Sequence, residues 1–155
     1  MARINAEHVN TFLMAASKVI SETCNLTTKV GKPYIRNNTF TKDSIVIMIG
    51  VTGEMQGQVM LAFKKSVALM IASKMMYMEV KELDEISTSA ICELGNMIMG
   101  NASTAFSVKN IGIDITPPTM CEGDFTVSGA VASMCIPIYI SDTDFVELNL
   151  CIRQD

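Results

Sequence analysis

Two stretches of the chain carry apolar residues at helical spacing, and each gives way to a proline and then to strand-like segments. In residues 6–24 the apolar positions are Val9, Leu13, Ala16 and Ile20; in residues 84–109 they are Ile91, Leu94, Ile98, Ala102 and Ala105. Gly31-Lys32-Pro33 follows the first stretch and Thr116-Pro117-Pro118 the second, because proline lacks the N–H a helix needs and restricts the residue before it. The two prolines lie about 85 residues apart, so one plan is used twice and an internal duplication is expected.

The segments between follow from local chemistry. Ser44–Val51 is β-branched, Gly53–Gly57 reads as a turn and Gln58–Phe63 alternates in polarity, which together predict a hairpin. Ser66 is expected to cap a short helix reaching about Met78, and Asp84 to cap the second long helix. Strands are predicted near Thr119–Glu122, from Val127 through Ile140 and over Phe145–Ile152; Pro137 marks an edge or bulge and Asp142–Asp144 a turn. Short connections between strands favour antiparallel pairing. The expected fold is α+β, one pseudo-duplicated domain over residues 1–155 with long helices packed on an antiparallel β-sheet.

At 155 residues, with 49% apolar and 18% charged side chains, the chain can bury a core without staples. A net charge of −4, with only Lys64 and Lys65 adjacent, opposes nucleic-acid binding, which needs clustered cations. The longest apolar run, Val67–Met78, contains Lys74 and is too short to span a bilayer; the first residues lack a secretory signal pattern. A cytoplasmic protein is expected. Five cysteines with no Cys-x-x-Cys spacing fit neither a disulfide framework nor a zinc site, and four of them are expected in the core. His8, the single histidine, is expected to be solvated in the first helical turn. Gly50-Val51-Thr52-Gly53 has no following Gly-Lys-Ser/Thr, so a hairpin explains it better than a phosphate cradle.

A helical wheel of 3.6 residues per turn sets Ser89, Glu93, Asn96, Gly100 and Ser103 opposite the apolar side of the second long helix. A carboxylate and an amide thus project together among small residues that would let a partner's surface approach. Bare Glu-x-x-Asn carries little information, since it recurs as Glu7/Asn10 and Glu22/Asn25. Most of the thirteen methionines are expected to fill the core, while Met97 and Met99 flank the stripe and could touch a partner.

Ser89-x-x-x-Glu93-x-x-Asn96, together with Leu94-Gly95-Asn96-Met97 and Asp114-Ile115-Thr116-Pro117-Pro118-Thr119, resembles the CheC/CheX/FliY family of chemotaxis phosphatases, and most closely its CheX branch. Gly31-Lys32-Pro33, Ile49-Gly50-Val51-Thr52-Gly53 and Leu83-Asp84-Glu85 fall in the matching order. The resemblance implies an enzyme that removes the aspartyl phosphate of a CheY-like response regulator, Asn96 orienting the attacking water and Glu93 pairing with the receiver's lysine. It implies Ser89, Met97, Gly100 and Ser103 as partner-binding positions, magnesium supplied by the receiver and no cofactor of the chain's own. It also implies a homodimer formed by edge-strand pairing.

The duplication aligns Glu7 and Asn10 with Glu93 and Asn96, which raises the prospect of two sites. The first-half stripe, however, reads Arg3, Glu7, Asn10, Met14 and Ser17, with bulky residues where the second half has Ser89 and Gly100. One catalytic site is expected. The alternative reading is a non-catalytic receiver-binding or flagellar-switch-associated module of the same fold.

Overall fold

In a computed structural model, which describes residues 2–127 and 132–154, α1 spans Ala6–Cys24. Asn5 caps it by accepting the His8 N–H at 2.9 Å, and Asn25 ends it in the left-handed conformation. The second long helix is α3, Glu85–Val108. Asp84 accepts the Ser87 N–H while the Ser87 hydroxyl accepts the Asp84 N–H, both at 2.8 Å, so two first-turn donors are satisfied reciprocally. Its buried line runs Ile91, Leu94, Ile98, Ala102 and Phe106; Ala105, expected there, is only half-buried because the spacing of four carries the line on to Phe106.

Helix α2, Lys65–Met76, begins two residues earlier than a cap at Ser66 would require and ends short of Met78. Lys64 occupies the cap position without a side-chain bond, and the Lys65 N–H finds the Asp43 carbonyl at 3.0 Å, so the connection leaves Ser66 exposed within the first turn. Tyr77 turns left-handed and its N–H closes on Ser73, ending the helix. None of the three helices, among the described residues, is long and apolar enough to cross a membrane.

The strands are β1 (Ala2–Arg3), β2 (Lys29–Val30), β3 (Tyr34–Arg36), β4 (Thr39–Phe40), β5 (Ser44–Gly53), β6 (Met55–Lys64), β7 (Ile113–Ile115), β8 (Thr119–Glu122), β9 (Phe125–Thr126), β10 (Ser133–Tyr139) and β11 (Phe145–Gln154). The main antiparallel sheet has the order β2-β10-β11-β6-β5-β7, with β3 beside β10, β8 beside β5 and β1 beside β11; β4 and β9 form a separate pair. Exchanging α1 with α3, and β2 through β6 with β7 through β11, reverses this order and leaves it unchanged. The fold therefore carries the duplication seen in the prolines, and each half's strands after the helix pair with the other half's hairpin.

Two strand expectations shift. The β5–β6 ladder ends at Val51 opposite Gly57, as a turn there requires, yet Gly53 goes on to pair with Ile113 and Met55 with Gln154. Non-local partners keep the expected turn extended, leaving Glu54 alone between the strands. The segment expected as strand from Val127 begins as β10 only at Ser133, and residues 128–131 lie outside the described ones. Pro137 accepts the Gly31 N–H at 2.8 Å on the side where β2 gives way to β3, so its missing donor faces that interruption.

All three helices cover one face of the sheet in a single apolar core. Phe106 meets Phe12 edge-on, with ring centroids 5.0 Å apart, and burying one such ring contributes roughly 1.5–3 kcal/mol. By strand alternation the opposite face carries Val46, Met60 and Ala62 beneath Phe40, which stacks on Phe125. Beside them Glu147, 3% exposed, bonds Arg36 at 3.2 Å and accepts the Tyr34 hydroxyl, tying β3 to β11 across β10.

Candidate active site

Helix α3 can act as a rigid platform because a glycine lets it sit low on the sheet. A Cβ at Gly95 would stand 3.0 Å from Ile47 and 3.2 Å from Ile49 of β5, so only glycine allows this approach without displacing both isoleucines. With that side pressed on β5, the opposite side faces water: Ser89, Glu93, Asn96 and Gly100 are exposed and Ser103 is half-buried. Among the described residues neither the Glu93 nor the Asn96 side chain makes a hydrogen bond or ion pair, so both are open to a visitor. A Cβ at Gly100 would meet nothing within 4 Å, so the chain's own packing does not require that glycine.

The other stripe residues are partly engaged. Ser89 donates to the Glu85 carbonyl at 3.0 Å and Ser103 to the Ile113 carbonyl at 3.5 Å. Met97 is half-buried against the core, whereas Met99 is 1% exposed and cannot reach a partner as its sequence position suggested. Thr116-Pro117-Pro118 connects β7 to β8 along β5. Thr116 is held there by two bonds, its hydroxyl accepting the Gly50 N–H at 2.8 Å and its own N–H donating to the Gly50 carbonyl at 3.0 Å. The proline turn thus borders the stretch of β5 on which Gly95 rests. Gly50, a doubtful phosphate cradle in the sequence, serves as the seat for Thr116.

The first-half pair sits in different surroundings. Glu7, Asn10 and Met14 are exposed on α1, but Glu7 forms an ion pair with Lys109 at 3.6 Å, and the same ammonium donates to Thr11 at 3.1 Å. The duplication puts Thr23 at the position equivalent to Lys109, so Glu93 has no matching lysine. His8 is half-buried edge-on against Phe106 at 5.4 Å rather than solvated, because α3 crosses beside the first turn of α1. Nothing in local sequence signals the Glu7–Lys109 link, which depends on the packing of α1 on α3.

No other described cluster competes as a chemical centre. All five cysteines are free; Cys24, Cys135 and Cys151 are buried and Cys92 and Cys121 half-buried, so three rather than four belong to the interior. Burial, aided by the Glu147 carboxylate, pushes the Cys135 thiol up to about 12, and burial also raises Cys24 and Cys92, which keeps these thiols protonated and poorly nucleophilic. Among the described residues no three His, Cys, Asp or Glu side chains gather as a cation site. A cavity of about 160 Å³ lined by Tyr34, Arg36 and Glu147 lies on the face of the sheet away from α3.

Comparison with known proteins adds an independent line. The family described as chemotaxis phosphatase CheX matches residues 45–140. The chain is 32% identical over 155 residues to the CheY-P phosphatase CheX of Thermotoga maritima, an alignment covering 97% of this chain and 99% of that protein. Its fold superposes on a CheC-like superfamily protein from Shewanella sp. PV-4 with TM-score 0.83 at 25% identity, covering 97% and 99% of the two chains. The CheX–CheY–BeF3–magnesium complex from Borrelia burgdorferi matches with TM-score 0.80 at 27% identity, covering 98% and 100%.

Proposed function

This chain belongs to the CheX family of chemotaxis phosphatases, and on that premise we propose that it hydrolyses the aspartyl phosphate of a CheY-like response regulator, with Asn96 and Glu93 as its working residues. The observation that carries the reading is an exposed acid and amide one turn apart on a braced helix, neither engaged by its own chain. The Asn96 amide accepts from and donates to a water molecule and holds it in line with phosphorus. Being neutral, it does not repel the phosphoryl oxygens. The water oxygen bonds to phosphorus as the bond to the receiver's aspartyl oxygen breaks, giving inorganic phosphate and a free carboxylate. Glu93 pairs with the receiver's lysine and fixes the register of the two proteins.

Ser89, Gly100 and Ser103, with the exposed part of Met97, border the contact and let it close. The magnesium belongs to the receiver, in keeping with the magnesium-bearing CheX–CheY complex of the Borrelia relative. We read residues 1–155 as one phosphatase domain working in the cytoplasm. We also infer a homodimer joined through a sheet edge, where β2 and β3 present the exposed Val30 and Ile35. The direct test mixes the purified protein with phosphorylated receivers from the same cell and times phosphate release. Acceleration over the receiver's own decay is expected; binding without acceleration would favour a docking module.

A further inference from the structure

A groove of about 600 Å³ runs between α1 and α3 and begins at Gly100, one turn of about 6 Å beyond Asn96. Met14, Ala15 and Lys18 of α1 form one wall; Gly100 and Ala105 of α3, with Lys109 at its end, form the other. Each uncharged polar side chain along it donates back to its own helix: Asn101 to the Met97 carbonyl at 2.9 Å, Thr104 to the Gly100 carbonyl at 3.1 Å and Thr11 to the Glu7 carbonyl at 3.1 Å. What the groove offers a visitor is therefore apolar surface and positive charge. Met14 is 72% exposed, a flexible apolar side chain that the core does not use.

We propose that this groove is the second half of the receiver's docking surface, seating an apolar side chain flanked by carboxylates from the face around the phosphorylated aspartate. The inference rests on the phosphatase reading and deepens it. Two observations select this occupant. The groove is continuous with the stripe through Gly100, so a partner whose phosphoryl group meets Asn96 necessarily overhangs it. Among the described residues its only ionisable lining groups are Lys18 and Lys109, in a chain of net charge −4. Lys18 has no partner among the described residues, and the Lys109–Glu7 pair is exposed enough for solvent to screen it. A phosphorylated, acidic surface is the complement of such a spot. The first-half helix then has a use although its own Glu7/Asn10 pair is not catalytic: Met14, at the position equivalent to Gly100, becomes a contact.

The test replaces Met14→Glu and Lys18→Glu separately, with Met14→Ala as a milder control; both positions are exposed, so melting temperatures should match wild type. Each Glu variant should raise KM for the phosphorylated receiver by about tenfold and weaken binding of a beryllofluoride-loaded receiver equally, with kcat within twofold. Added salt should raise the wild-type KM more than that of Lys18→Glu. Unchanged KM and binding in both variants, with Asn96→Ala still slow, would overturn the groove's role and leave the phosphatase reading intact. A change in oligomeric mass on Met14→Glu would mean that a second copy fills the groove, again overturning the proposal. A wild-type chain that releases no phosphate would overturn both readings.

Discussion

Replacing Gly100 should make the protein more stable and less active at once. In a helix interior alanine is favoured over glycine by about 1 kcal/mol, and an added Cβ at this position meets nothing within 4 Å. For a chain of this size that gain corresponds to a rise in Tm of about 2–4 °C. The same methyl projects about 1.5 Å from the helix backbone into the space between Asn96 and the groove, where a docked receiver would lie. In-line attack tolerates little displacement, so kcat/KM should fall at least about tenfold for Gly100→Ala. Gly100→Met, which copies the first-half residue Met14, should lose on the order of 100-fold. Thermal melts followed by circular dichroism and a time course of phosphate release give the two readouts. If Gly100→Met folds normally and retains wild-type kcat/KM, nothing approaches the helix at that point and the docking argument fails.

Glu93→Ala should raise the receiver concentration needed for half-maximal rate much more than it lowers the maximal rate; unchanged saturation behaviour would contradict its pairing role. The double variant Glu7→Ala with Asn10→Ala should leave turnover near wild type, and a large loss would point to two working sites. Hydrogen bonds from the Ser87 N–H and then its hydroxyl hold the Asp84 carboxyl below the usual carboxylate range. A depressed folded-state pKa stabilises the fold above the unfolded value and loses that contribution as pH falls through the folded value. Asp84→Ala should therefore lower Tm at neutral pH, with a gap to wild type that narrows in acid; a gap independent of pH would refute the charged cap.

The features legible in the sequence were those governed by neighbours along the chain. Ala6–Cys24 emerged from its apolar spacing and the Gly31-Lys32-Pro33 break beyond it, and Thr119–Glu122 from the prolines before it. The start of α3 was visible in Asp84, and its exposed stripe in the spacing of Ser89, Glu93, Asn96 and Gly100. Features set by distant partners were not. Gly53 and Met55 look like turn residues until Ile113 and Gln154 pair with them, and Ser66 looks like a cap until the Asp43 carbonyl takes the Lys65 N–H. The Glu7–Lys109 pair, which distinguishes Glu7/Asn10 from Glu93/Asn96, forms only when α1 packs against α3. The internal duplication bridged the two levels, since the prolines showed it faintly and the strand order shows it fully.

Single-turnover dephosphorylation with Asn96→Ala in saturating excess over the phosphorylated receiver isolates the chemical step from docking. If the amide positions the attacking water, the rate should fall roughly 100-fold, about 3 kcal/mol of barrier, in a protein that melts like wild type and still binds the receiver. A variant that turns over at nearly the wild-type rate would show that the water is held by something else.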